Sequence, residues 1–152
     1  MLSLQSSFLF TLMGTVADPI EIGTTPSGLR RIFPIIGGTF EGPKLRGRLL
    51  PVGADQMLER SDLVVIPDVR MILETDDGRP IMMSYNGYRH GPRDVMERLA
   101  RGEPVDPSAY YFRIVPRFET GSDKYGWLNR ILTIGIGRRL PQGPVYDVHE
   151  IL

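Results

Sequence analysis

An all-β fold, sandwich or barrel, is predicted by three observations on this chain. Seventeen glycines and 13 prolines are spread along 152 residues and divide it into short runs rich in Val, Ile, Phe, Tyr and Leu. Turn chemistry separates those runs at regular intervals, as in sheets built from hairpins. Only one segment has the apolar spacing of a helix.

The runs place strands near 5–17, 29–36, 44–51, 63–75, 80–88, 109–119, 127–138 and 144–151. Breaks between them fall at Asp18-Pro19, Pro26-Ser-Gly28, Gly37-Gly38, Gly42-Pro43, Asp76-Asp77-Gly78, Gly121-Ser122 and Pro141-Gln-Gly-Pro144. The Asp77-Gly78 step predicts a tight hairpin. The helix is expected within 91–102: Pro92 suits a first helical position, and Val95, Met96 and Leu99 recur at one-turn spacing. Arg98 and Arg101 fall late, and Gly102 stands where a C′ residue belongs. With no repeat and no long linker, residues 1–152 are expected to form a single domain.

Composition excludes several chemistries. The chain contains no cysteine, so disulfides, thiolate metal sites and cysteine nucleophiles are absent, in keeping with a cytoplasmic location. Eighteen basic and 18 acidic residues cancel and are mixed along the chain, which gives no basic patch for nucleic acid. The apolar run Phe8–Ala17 is too short to span a bilayer and no Lys or Arg precedes it, so it reads as the first strand and no membrane partner is expected. His90 and His149 share no ligand spacing, and no metal and no cofactor are expected.

Gly37-Gly-Thr-Phe-Glu-Gly-Pro43 lacks the Gly-Lys-Ser/Thr ending of a phosphate loop, and Gly135-Ile-Gly137 lies in a strand pattern. Both read as turns, bulges or barrel corners. No Gly-x-Ser-x-Gly elbow is present. Asp55, at the end of a strand, is placed as an acid/base at a rim, or as a turn cap. Tyr85 and Asn86 offer a phenol and an amide in the same way, or a simple turn.

The segment Tyr110-Tyr-Phe-Arg-Ile-Val-Pro-Arg-Phe-Glu119 splits by strand parity. Tyr111, Arg113, Val115, Arg117 and Glu119 share one face, and Tyr110, Phe112, Ile114, Pro116 and Phe118 the other. Two readings follow: a solvent face opposite a core face, or a cavity that holds Arg113 and Glu119 paired inside. Trp127 and Asn129 share a parity on the next expected strand and would add an aromatic wall and an amide to that cavity.

Taken together, Thr25-Pro-x-Gly28, Arg30-Arg31, Gly37-Gly38, Gly42-Pro43, Gly47, Gly53-Ala-Asp55, Thr75-Asp-Asp-Gly78, Tyr110-Tyr-Phe-Arg113, Phe118-Glu-Thr120 and Trp127-Leu-Asn129 resemble the bacterial and fungal family called domain of unknown function 3237. The resemblance covers nearly the whole chain. It implies a closed or nearly closed antiparallel β-barrel, similar in outline to allene oxide cyclase and lipocalin-like barrels, and a homodimer. It carries no established activity. This chain departs from the family pattern at Gln56, where an aromatic is expected, and at Met71, where a tyrosine is.

The functional expectation is a small-molecule-binding barrel. As an enzyme it would carry out cofactor-free isomerisation, hydration, dehydration or cyclisation of a small aromatic or carboxylate-bearing metabolite, with Asp55 and Glu119 as acid/base residues. Arg31, Tyr85, Asn86, Tyr111, Arg113, Trp127 and Asn129 would bind the substrate, with Arg31 or Arg113 holding an anionic group. The alternatives are a non-catalytic carrier or sensing module, and a structural dimer.

Overall fold

Strand alternation is plainest in β6 (Asp68–Thr75), where Val69, Met71, Leu73 and Thr75 are buried and Asp68 and Arg70 are exposed. Repeated around a curved sheet, this alternation turns one side chain in two toward a common interior. The computed structural model, which describes residues 1–152, closes that sheet into an eight-stranded antiparallel barrel.

The ring comprises β1 (Ser6–Val16), β3 (Gly28–Glu41), β4 (Arg46–Glu59), β6, β7 (Pro80–His90), β8 (Tyr111–Ile114), β10 (Thr133–Leu140) and β11 (Gly143–Ile151). Its spatial order is β1-β3-β4-β6-β7-β8-β10-β11, and the pairing of β11 with β1 completes the circle. Three short strands lie off it: β2 (Ile20–Thr25) extends β3, β5 (Val65–Ile66) bridges β4 and β7, and β9 (Arg117–Glu119) pairs with β7.

Several strand boundaries differ from the sequence expectation, and glycine and proline account for most of them. Gly53 lies beyond the strand expected to end near 51, yet β4 runs through it to Glu59, with φ of 91° and a register shift against β6. A Cβ there would strike the Arg70 carbonyl, so this bulge requires glycine. Conversely, Pro67 separates β5 from β6, and Pro116 separates β8 from β9, because proline supplies no ladder N–H. The strand expected from 127 begins at Thr133; Gly126–Arg130 forms a 3-10 turn instead. β2 had no counterpart among the expected strands.

The expected helix is present as α1 (Arg93–Ala100). Pro92 is its N-cap residue. At the other end Gly102 has φ of 75°, its N–H donates to the Leu99 carbonyl at 3.0 Å, and the Glu103 N–H donates to the Arg98 carbonyl at 3.0 Å. That pair of bonds is the Schellman arrangement, which satisfies carbonyls that the last turn leaves open.

The barrel's two ends differ. At the lower end, Phe10 packs edge-to-face against Phe40 at 5.6 Å and Phe118 at 5.9 Å, beside fully buried Leu73 and Ile81. Tyr125 and Leu128, flanking and within the 3-10 turn, are buried there. The β6–β7 turn is tied to this plug: Asp77 accepts hydrogen bonds from Thr75 Oγ1 at 2.6 Å, Lys124 Nζ at 2.9 Å and Tyr125 Oη at 2.9 Å. These donors, led by the Thr75 hydroxyl, hold the Asp77 carboxyl well below the usual carboxylate range. No helix is long and apolar enough to cross a membrane.

Candidate functional site

Toward the upper end the inward positions change from aliphatic to polar. Along β7 the inward series Ile81, Met83, Tyr85, Gly87 finishes at Arg89; along β10, Gly135 and Gly137 lead to Arg139. On β4 the inward residues Asp55 and Met57 lie at the same level, and on β11 so does Tyr146. The core is not filled here, and a cavity of about 680 Å³ opens, within the size range of small-molecule sites.

Apolar and charged side chains share its wall. Met57, Leu63, Val65 and Phe112 come from the barrel and its β4–β5 turn, while α1 adds Met96 and Leu99 from above. The helix is amphipathic: Val95 and Leu99 are buried, and Arg93 and Glu97 reach the rim. Leu63 is held at φ of 68° by a turn in which its N–H donates to the Arg60 carbonyl at 3.0 Å. A left-handed leucine is unfavourable, so the Arg60–Val64 turn holds this rim residue in place against its own preference.

Asp55 carries the titratable function. Its Oδ1 accepts the Asp68 backbone N–H at 3.0 Å, and protein encloses the carboxyl except where it faces the cavity. Loss of hydration dominates over that hydrogen bond and over the positive charges of Arg89 and Arg139, so its pKa is pushed up to about 6. A carboxyl with that value exchanges protons close to neutral pH, as a general acid or base must.

Arg89 is the unusual group. Its Nε is sealed from solvent and has no hydrogen-bond partner. The guanidinium lies against the Phe112 ring, 5.5 Å from its centroid. Burial, followed by the repulsion of Arg139, lowers its pKa from the ordinary arginine value. Arg139 lies at the same end, its backbone N–H bound to Tyr110 Oη at 2.9 Å and its Nη1 to the Leu140 carbonyl at 3.3 Å. Below them Tyr146 packs edge-to-face on Phe112 at 5.3 Å and on Tyr85 at 5.2 Å. Burial raises the pKa of both tyrosine hydroxyls, which therefore stay protonated and neutral. The cavity thus brings the proton-exchanging carboxyl of Asp55, the guanidinium groups of Arg89 and Arg139 and the Tyr146 phenol together on an aromatic floor, with Arg31 and Arg93 also in its lining.

The structure brings together only part of the expected set. Asp55 and Arg31 both line the cavity, Arg31 paired with Glu21 at 3.0 Å. Tyr85 is buried beneath Tyr146. The expectation that Tyr111, Arg113, Glu119, Trp127 and Asn129 face one interior space is overturned. Phe112, Ile114 and Phe118 take the inside of the barrel, so strand alternation places Tyr111, Arg113 and Glu119 outside.

Arg113 packs over Tyr111 at 5.1 Å and donates to the Phe112 carbonyl at 2.9 Å. With Asn86 these two line a separate outer groove. Trp127, on the 3-10 turn, rests against the lower core beneath Lys44. Asn129 binds Thr120 instead, accepting its N–H at 2.8 Å and donating to its carbonyl at 2.9 Å. Nowhere do three or more His, Asp or Glu side chains gather in a metal-holding cluster.

Arg89 and Arg139 were missed by sequence reasoning. Arg89 continues the inward parity of Ile81, Met83 and Tyr85, a signal available in the sequence; Arg139 follows Thr133, Gly135 and Gly137, with Ile134 and Ile136 on the other parity, so no apolar series marks it.

Comparison with known proteins places this architecture. The model of the family described as "Protein of unknown function (DUF3237)" matches residues 4–151. The UPF0311 protein RPA1785 of Rhodopseudomonas palustris is 39% identical over 99% of this chain and 98% of its own length. A UPF0311 protein of Clostridium acetobutylicum is 37% identical over 94% of this chain and 91% of its own. Among solved structures, RPA1785 superposes with a TM-score of 0.96 at 38% identity over the whole of both chains. A beta-barrel like protein of Acinetobacter baumannii AYE does so with a TM-score of 0.87 at 42% identity, over 100% of this chain and 98% of that one. A protein described as an enzyme from Penicillium herquei gives 0.77 at 18% identity, over 100% and 97% of the two chains, a likeness of fold alone. By sequence and by fold, the chain belongs to the DUF3237 family.

Proposed function

We propose that the protein binds a small aromatic or carboxylate-bearing metabolite in the helix-covered cavity and catalyses cofactor-free proton transfer on it. The carrying observation is Asp55, a cavity-facing carboxyl with a pKa of about 6 set among arginines and a neutral phenol. As base, the Asp55 carboxylate takes a proton from an acidified carbon or hydroxyl; as acid, it returns that proton at another atom. Negative charge developing on a substrate oxygen faces Arg89, Arg139 and the Tyr146 hydroxyl, groups fixed in place before the reaction begins. Isomerisation, hydration, dehydration and cyclisation all use this pair of steps.

The same reading places the protein in the cytoplasm, where a cysteine-free chain gives up nothing to the reducing environment. It also includes a homodimer formed through the outer face of β7, β8 and β10, which leaves Tyr88, Tyr111, Val115 and Ile136 exposed.

Deuterium exchange tests the chemistry. Enolisable aromatic and aliphatic keto acids are incubated with the protein in D2O, and loss of the carbon-bound proton is followed by proton NMR. Exchange above the buffer rate is expected with the wild type, and a loss of about 100-fold or more with Asp55→Asn. Binding without exchange across the panel would leave the barrel as a carrier.

A further inference from the structure

Burying a guanidinium without a partner is costly, and cavity walls normally pair such a group or expel it. Arg89 has neither outcome: no carboxylate lies within ion-pair distance, its Nε is orphaned, and Phe112 supports only the flat of the group. Asp55, whose charge acts on Arg89, directs one oxygen to the Asp68 N–H instead. Arg139 adds a second positive charge close enough to repel the first. Two like charges kept together around empty space are a receptor for an anion, because an anion between them removes both the desolvation and the repulsion.

The surroundings define that anion. Guanidinium recognises planar oxyanions through paired N–H donors. Met57, Leu63, Val65, Met96 and Leu99 in the wall suit an apolar body, and the carboxyl groups of Asp55, Glu59 and Glu97 in the same lining disfavour a second negative charge.

We propose that Arg89 and Arg139 form the anion subsite of this cavity and that its ligands are apolar monocarboxylic acids bound with the carboxylate on Arg89. This rests on the reading of the cavity as the substrate site and deepens it. The acidic group enters first and the apolar body lies beneath α1. Arg31, already paired with Glu21, does not hold the anion.

Matched acids and amides test the assignment. 2-Naphthoate and benzoate, with 2-naphthamide and benzamide as neutral isosteres, are titrated by calorimetry into the wild type, Arg89→Met, Arg89→Lys and Asp55→Asn. The acids are expected to bind the wild type about 10–100-fold more tightly than their amides, the range for a buried charge-assisted pair. Arg89→Met abolishes that preference, and Arg89→Lys, which keeps the charge without the planar fork, reduces it and carries the test if the Met variant does not fold. Asp55→Asn retains the preference while losing proton exchange, so failure of the acid–base reading leaves this outcome untouched. Equal affinities for acid and amide, a preference that survives Arg89→Met and Arg89→Lys, or no binding of either acid at millimolar concentration overturns the proposal.

Discussion

Asp55 and Arg89 line one cavity and sense each other's charge, yet no ion pair joins them. A direct pair would draw the carboxyl below the ordinary range and satisfy the guanidinium. Held apart, the carboxyl stays protonatable near neutrality and the guanidinium stays available to a ligand. Both properties of the site come from that one separation.

It has a measurable consequence for stability. The Asp55 pKa is raised from 3.8 to about 6, so between those values the folded state binds more protons than the unfolded state. Stability from this group is therefore present at low pH and declines as pH rises through that window. Asp55→Asn is expected to be more stable than the wild type by about 1–3 kcal/mol at neutral pH, with the difference vanishing below about pH 4. Urea denaturation of both proteins across that range checks the sign. The charged and titratable groups acting on Asp55 are Arg89, Arg139, Asp68, Tyr85 and Tyr146. Of these only Asp68 is a second carboxyl; it remains in both proteins, so the difference isolates Asp55.

Gly137 sets the position of Phe112. A Cβ on Gly137 would lie 2.7 Å from the ring, and the ring is the shelf under the Arg89 guanidinium. Gly137→Ala is expected to cost about 1–3 kcal/mol through overpacking and to displace Phe112 into the cavity. In the double variant with Phe112→Leu, which relieves the clash, the measured cost falls below the sum of the single costs.

At the opposite end, Tyr125→Phe removes the hydroxyl that binds Asp77. The bond joins a buried phenol to an exposed carboxylate, so its loss is expected to lower stability modestly. Thermal unfolding should report a downward shift of the midpoint. Ligand affinity at the upper cavity is expected to stay at the wild-type value.

Arg113→Ala separates the outer groove from the cavity. Arg113 is outside the barrel wall and packs on Tyr111, so its loss is expected to change stability by no more than about 1 kcal/mol and to leave 2-naphthoate binding unchanged. A fall in affinity comparable with that of Arg89→Met would move the ligand from the interior to the outer face.

Much of the barrel is legible in the sequence because turn residues and strand alternation are local. The helix with Gly102 at its end and the hairpin at Gly78 are local in the same sense. Asp55 is singled out as a strand-end carboxyl, yet β4 continues past it to Glu59, and it faces the cavity as an inward position within that strand. The remainder of the site depends on where each strand stands along the barrel axis, which only register decides. Tyr111 and Arg113 attract notice as a cluster, but they occupy the polar parity of a strand whose other parity is Phe112 and Ile114. Arg89 looks unremarkable singly, but it stands on the inward parity of its strand, after Ile81, Met83, Tyr85 and Gly87; Arg139 is preceded on its parity only by Thr133, Gly135 and Gly137, while Ile134 and Ile136 take the other face, so register alone reveals it. A charge that continues an apolar series is the better signal, because alternation fixes its direction before the fold is known.

Closure of the ring leaves β2 as an outlying strand, paired on one side with β3 and carrying exposed Ile20 and Ile22. Such an edge could template aggregation by adding a strand from another molecule. Here Pro19 stands before the strand, and the register shift between Glu21 and Gly23, with φ of 100° at Gly23, interrupts the straight run of donors and acceptors. An incoming chain meets a ladder that is out of step after two residues. The irregularity therefore acts as a barrier to fibre growth at a barrel edge that closure does not remove.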